Sequence, residues 1–184
     1  MKKYLVIGNP IGHSLSPLTH NYWIKKYRLI DSAYEKRKIE EKDLENIIKE
    51  IREDKIVGVN ITVPFKKLII PFLDKLDFSA EETQSVNTLF KINNKIVGYN
   101  TDRNGFWDTI KNFYPTTKDS RKSPPLEGKR IFILGAGGVT SSIISALKNG
   151  GANNIILSNR TKEKANELKK LFPELEVLDW GKRP

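Results

Sequence analysis

The sequence contains no cysteine, one methionine and two histidines among 184 residues. The absence of cysteine excludes disulfides, thiolate nucleophiles and cysteine-ligated metals, and suits a reducing compartment. Long hydrophobic runs are absent too. The N-terminus reads M-K-K-Y-L-V-I-G, an apolar stretch too short for a signal-peptide core, and no segment approaches membrane-spanning length. The expectation is a cytoplasmic protein without a membrane partner. Acidic residues are in deficit: 32 Lys and Arg against 22 Asp and Glu give a net charge of +10. Such a balance favours anionic partners: nucleic acid, phosphates or a carboxylate substrate. The lysines, among them Lys42, Lys49, Lys162, Lys164, Lys169 and Lys170, are spread along amphipathic segments as solvated helix faces. No basic motif interleaved with aromatics appears, so the expected partner is a small molecule and not a nucleic acid.

Repeats and low-complexity tracts are missing as well, and strand and helix patterns alternate from the start, which predicts an α/β fold. Strands are expected at 4–7, 33–38 and 57–63. Ser16-Pro17 offers an N-cap followed by proline at the first helical position, opening a helix that carries Leu18, Tyr22, Trp23 and Tyr27. Leu44, Ile47, Ile48 and Ile51 follow the i, i+3, i+4, i+7 spacing of an amphipathic helix. An apolar segment, Leu68 to Leu76, is interrupted by Pro71. Residues 88–92 and 95–99 flank Asn93-Asn94 as a hairpin on a two-residue turn. A helix from 102 to about 113 bridges to residues 115–128, where Pro115, Pro124, Pro125 and Gly128 indicate a linker or surface loop. The domains are therefore expected at 1–114 and 129–184. The second holds strands at 130–134 and 155–158, helices ending near Lys148 and Leu171, and a third strand at 176–178.

Gly135-Ala136-Gly137-Gly138-Val139 follows a strand and opens a helix, the context a dinucleotide fingerprint requires. Gly135 permits the tight turn, and Gly137 lets the backbone approach a pyrophosphate at the helix N-terminus. Thr140 stands where glycine or alanine is usual. The next strand ends in Ser158-Asn159-Arg160-Thr161. An acidic residue there would favour NAD; instead Asn159 is neutral and Arg160 can pair with a 2′-phosphate. Thr161 supplies a hydroxyl and a helix cap, and Lys164 adds charge one turn later. The implied cofactor is NADP(H), on a Rossmann-like domain. No metal is implied.

In the first half, V-G-V-N-I-T-V-P-F-K (57–66) is a buried-strand pattern that ends in Asn60, Thr62, Pro64 and Lys66. Ligands of open α/β sheets bind outside the carboxyl ends of strands, so this is either a small-molecule site or a plain strand terminus. Further polar clusters are N-P-I-G-H-S-L-S-P (9–17), S-V-N-T-L (85–89) and G-Y-N-T-D (98–102). His13 and His20 read as structural.

These clusters, in this order and followed by G-A-G-G and N-R-T, resemble shikimate dehydrogenase over essentially the whole chain. The resemblance implies an N-terminal substrate domain with a mainly parallel sheet and NADPH-dependent reduction of 3-dehydroshikimate to shikimate, in chorismate and aromatic amino acid biosynthesis. By motif, Ser14 and Ser16 would hold the substrate carboxylate. Asn60, Thr62, Asn87 and Asp102 would hold the ring hydroxyls, and Lys66 and Asp102 would form the catalytic pair. A monomer or homodimer is expected. Departures from the family pattern are Arg103 after N-T-D, Gln84-Ser85 before V-N-T-L, and Val139 after the glycines. The segment that would return a glutamine ligand is not matched, so the chain reads as a C-terminally truncated or shortened member. A substrate-binding fragment without turnover and a quinate/shikimate dehydrogenase are the alternatives.

Overall fold

A computed structural model describes residues 1–114 and 124–184, which form two compact units, Met1–Asn100 and Thr101–Pro184. The first unit runs β1 (Lys2–Gly8), α1 (Ser16–Lys26), β2 (Ser32–Lys38), α2 (Leu44–Arg52), β3 (Gly58–Ile61), α3 (Phe65–Leu68), β4 (Lys75–Leu76), α4 (Phe78–Thr83), β5 (Thr88–Ile92) and β6 (Lys95–Tyr99). The strands form one sheet in the order β2-β1-β3-β5-β6-β4. Its pairings are parallel apart from the two made by β5, which is antiparallel to β3 and β6. The antiparallel pair follows from the turn. Asn93 and Asn94 both take positive φ, 48° and 61°, as a two-residue hairpin loop of the I′ type demands.

The apolar stripe of α2 does what its spacing predicts. Leu44, Ile47, Ile48 and Ile51 are all buried, packed with Leu5, Ile7, Val59, Ile61, Leu89 and Ile96 of the sheet. The α1 side is different. None of its residues is buried, and Leu18, Tyr22, Trp23 and Tyr27 stay exposed. Between α1 and the sheet lies a cavity of about 600 Å³ bordered by Tyr4, His20, Trp23, Tyr34, Asn60 and Phe90. The expected cap at Ser16 is also corrected. Ser16 is the first helical residue, and Leu15 holds the cap position without a side-chain cap bond of its own. The reason is a turn closed by Ser14 N–H to Ile11 C=O at 3.1 Å, which puts the Ser14 hydroxyl, not that of Ser16, beside the Ser16 amide (3.3 Å).

The second unit runs α5 (Asp102–Ile110), β7 (Arg130–Leu134), α6 (Thr140–Asn149), β8 (Asn154–Ser158), α7 (Lys162–Leu171) and β9 (Glu176–Leu178). Its three strands are parallel in the order β7-β8-β9, the arrangement of one mononucleotide-binding half. The helix expected as a bridge groups with this unit, because Phe106, Trp107 and Ile110 pack against its core. A Cβ at Gly150 would overlap the Trp107 ring. Of the expected linker, residues 115–123 lie outside the described part. The remainder is not linker-like: Leu126 is buried in the core and its N–H bonds to Gly150 C=O at 2.9 Å. One leucine among prolines and charges is enough to anchor a segment that looks solvated on average.

Candidate functional sites in the two units

In the first unit, the carboxyl ends of β1 and β3 are laced together. Thr62 N–H donates to Ile7 C=O and Asn9 N–H to Val63 C=O, both at 3.0 Å. Gly8 is required there because an added Cβ would lie 2.6 Å from Thr62 Cγ2. The Asn9–Pro10 and Val63–Pro64 peptides, one after each strand, are cis. Thr62 C=O then accepts from Phe65 N–H (3.0 Å), opening α3, on which Lys66 is the second residue. Lys66 C=O accepts from Val86 N–H at 2.9 Å, and Asn87 C=O accepts from Ile61 N–H at 2.8 Å. Backbone bonding thus brings Asn60, Thr62, Lys66 and Asn87 to one end of the sheet. Ser14 and Ser16 follow the β1 loop that is tied to Val63. Asp102 is the first residue of α5 and belongs to the second unit.

The Asn60 carboxamide is held on all sides. The Tyr34 hydroxyl donates to Asn60 Oδ1 at 2.6 Å, while Asn60 Nδ2 donates to Thr88 Oγ1 at 3.0 Å and Asn87 C=O at 3.3 Å. Thr88 in turn donates to Asn87 Oδ1 at 3.0 Å. Tyr34 is buried, and burial pushes its pKa up to about 12, so it is a neutral donor at physiological pH. His20 stacks on it, ring centroids 4.1 Å apart, and burial lowers the His20 pKa from its ordinary value. Neither Tyr34 nor Thr88 is among the residues expected from the sequence to form the site. Tyr34 is the one buried residue of β2, a strand otherwise of small and charged residues, and a lone inward tyrosine is the only signal for it.

A second polar knot holds Asn100, the last residue of the unit. The Asn100 amide N–H donates to Ser79 Oγ (3.1 Å), and its Nδ2 donates to Ser85 C=O (2.8 Å) and Thr83 Oγ1 (3.1 Å). Ser79 is itself fixed by Asp77, which caps α4 and whose carboxyl is held below its usual pKa mainly by the Ser79 hydroxyl. Ser79, Thr83, Ser85 and Asn100 are buried, and the bonds above tie the Asn100 side chain to two of them, which makes the arrangement specific.

In the second unit, Gly135 has φ 108°, and its N–H donates to Ser158 C=O at 2.8 Å. Cβ atoms added at Gly137 or Gly138 would meet nothing within 4 Å, so open space lies over the loop at the start of α6, a ten-residue helix. Thr140 fits because its hydroxyl turns inward and donates to Gly135 C=O at 3.1 Å. Asn159 joins the two motifs: its Oδ1 accepts from Ala136 N–H at 2.9 Å and its Nδ2 donates to Thr161 C=O at 2.6 Å. Thr161 occupies the cap position of α7, yet its side chain makes no cap bond, a correction to the expected hydroxyl cap; its extended backbone (ψ 104°) is instead anchored by Asn159. Arg160 and Lys164 are exposed. Glycines with open space, a helix N-terminus and an arginine after the second strand are the chemistry a dinucleotide with a 2′-phosphate requires.

Comparisons with known proteins follow the same division. The family model described as shikimate dehydrogenase substrate binding domain matches residues 6–89, and that described as shikimate / quinate 5-dehydrogenase matches residues 118–179. The chain is 54% identical over 180 residues to the shikimate dehydrogenase (NADP(+)) of Pelagibacter ubique, covering 98% of this chain and 64% of that protein. It is 41% identical to that of Aquifex aeolicus, covering 96% and 61%. The crystal structure of shikimate dehydrogenase from Aquifex aeolicus superposes with a TM-score of 0.82 at 40% identity, over 97% of this chain and 62% of that one. The Thermus thermophilus shikimate 5-dehydrogenase in complex with NADP(H) and shikimate gives 0.79 at 30% identity, over 97% and 63%. The chain therefore spans just under two thirds of the length of these relatives. With its strand-end cluster inside the first matched region and its glycine loop inside the second, this chain belongs to the shikimate dehydrogenase family.

Proposed function

We propose that the chain reduces 3-dehydroshikimate to shikimate with NADPH, a step in chorismate and aromatic amino acid biosynthesis. The observation that carries this reading is the joint presence of two built sites. One is the Asn60–Thr62–Lys66–Asn87 cluster at the sheet end; the other is the glycine loop latched by Asn159. When bound, NADPH supplies a hydride to the ketone carbon of the substrate.

The residues of the chain divide the remaining work. Gly135, Ala136, Gly137, Gly138 and Val139 present backbone at the helix N-terminus to the pyrophosphate, and Arg160, Thr161 and Lys164 offer charge and a hydroxyl for the 2′-phosphate. Asn159 works by shaping the loop. Ser14 and Ser16 donate hydroxyls to the substrate carboxylate. Thr62, Asn87 and Asp102 take the ring hydroxyls. Asn60 keeps one lone pair on Oδ1 for such a contact once its protein partners are counted, and mainly fixes Asn87 and Thr88. Lys66 gives a proton to the ketone oxygen as charge develops there and stabilises that charge by its own. Asp102 is the other member of the proposed pair, its carboxylate accepting a hydrogen bond from a ring hydroxyl.

Turnover of 3-dehydroshikimate by Lys66→Ala tests the assignment. We expect kcat to fall by about 10²- to 10⁴-fold with a smaller change in KM. Near-normal turnover would remove Lys66 from the chemistry.

A further inference from the structure

Resting on the reading above, we propose that Arg103 is a positioning residue that locks the first turn of α5, where Asp102 stands, to the helix opened by the glycine loop. The Arg103 Nε–H donates to Ser145 Oγ at 2.7 Å, and Ser145 has no exposed surface. Its Nη1 donates to Asn104 Oδ1 at 3.2 Å, which orients the guanidinium plane.

The spacing explains what the bond adds. Arg103, Phe106, Trp107 and Ile110 fall at i, i+3, i+4 and i+7, on one helical face. The last three pack on the core of the second unit, with the Trp107 ring over Gly150 of α6's C-terminal end. Apolar contacts are non-directional and sit in the later turns of α5. The Arg103–Ser145 bond is directional, lies at the N-terminal end of that face and is adjacent to Asp102. It fixes where the first turn of α5 stands against α6, and so where the Asp102 backbone stands relative to the glycine loop. A displacement of about 1 Å at a reacting group costs on the order of 10²-fold in rate, so a link of this kind acts on turnover more than on affinity.

The test uses the full chain and two variants that both lose the Nη1 donor to Asn104 and differ at the Nε position. Arg103→Met keeps the stem and loses the donor. Arg103→Gln places an N–H donor at the same distance along the side chain. For Arg103→Met we expect kcat with 3-dehydroshikimate to fall about tenfold, KM for NADPH to stay within about twofold, and faster hydrogen exchange at the Gly105 amide. That amide bonds to Thr101 C=O in the first turn (3.0 Å). Arg103→Gln should restore rate and protection, and Ser145→Ala should reproduce Arg103→Met with no further loss in the double variant. Equal damage from Gln and Met, or no change from Met, would overturn the proposal. If the parent chain shows no turnover, the reading of the reaction fails on its own. The exchange comparison still decides the Arg103 link: protection lost in Met and kept in Gln supports it, and no difference overturns it.

Discussion

Replacing Gly8 by alanine strikes the point where the two strand ends of the first unit meet. The new Cβ would lie 2.6 Å from Thr62 Cγ2, 3.1 Å from Ile11 Cδ1 and 3.2 Å from Val63 C=O. Carbon atoms rest at about 3.5–4.0 Å, so Thr62 must retreat by roughly 1 Å. It cannot do so freely. Its N–H is bonded to Ile7 C=O, and the next residue's carbonyl holds Asn9, both at 3.0 Å. Overpacking of this kind costs about 1–3 kcal/mol, offset by about 0.4–1 kcal/mol from the stiffer unfolded chain. A net loss of about 1–2 kcal/mol corresponds to a Tm roughly 5–15 °C lower for a unit of this size. Gly12→Ala, four residues along the same loop, is the control. Nothing lies within 4 Å of its added Cβ, and Tm should hold or rise slightly. Thermal unfolding by circular dichroism and KM for 3-dehydroshikimate together read the outcome: a lower Tm and a KM raised severalfold for Gly8→Ala, neither for Gly12→Ala. Parental Tm and KM in Gly8→Ala would refute the close packing of the strand ends.

Tyr34→Phe strips one donor from Asn60 Oδ1 and should cost about 1 kcal/mol in urea unfolding. It should also abolish a loss of stability at alkaline pH, since a tyrosine raised to about 12 when folded stabilises below the unfolded value near 10 and loses that contribution as pH rises between them. His20 has the opposite sign. Its folded pKa is lowered by burial, so its contribution is complete above about pH 6.5 and is lost as pH falls from there through the folded pKa. His20→Gln should flatten the fall in Tm between about pH 7.5 and about pH 5.5, and an unchanged slope would show that His20 does not titrate in that way. Asn159→Ala removes the partners of Ala136 N–H and Thr161 C=O. Steady-state kinetics should show KM for NADPH raised about tenfold, the equivalent of about 1.4 kcal/mol, with KM for 3-dehydroshikimate little changed.

What the sequence disclosed and what it hid have physical causes. The hairpin was legible because Asn93-Asn94 is a local device: two residues able to take positive φ between two strand patterns. α2 was legible because one period governs all four of its apolar residues. The glycine loop was legible because its context, strand before and helix after, is contiguous in the chain. The errors arose where a distant partner decides. Whether Ser14 or Ser16 meets the first amide of α1 depends on a turn closed by Ile11. Leu126 is a core residue because Gly150, twenty-four residues on, receives its N–H. The grouping of α5 with the second unit rests on Phe106, Trp107 and Ile110 finding the α6 side, which their spacing permits but does not name. Tyr34 and Asn60 sit on different strands, and their bond appears only once β1 lies between β2 and β3. Residues set in a motif could be named singly as candidates. The groups that hold them still could not.

The measurement that bears most directly on the account is NADPH absorbance followed with the purified 184-residue chain and 3-dehydroshikimate, with shikimate assayed as product and NADH in a parallel cell. The account predicts substrate-dependent loss of NADPH matched mole for mole by shikimate, and a much slower reaction with NADH. A folded chain that binds shikimate yet leaves NADPH unoxidised would contradict it.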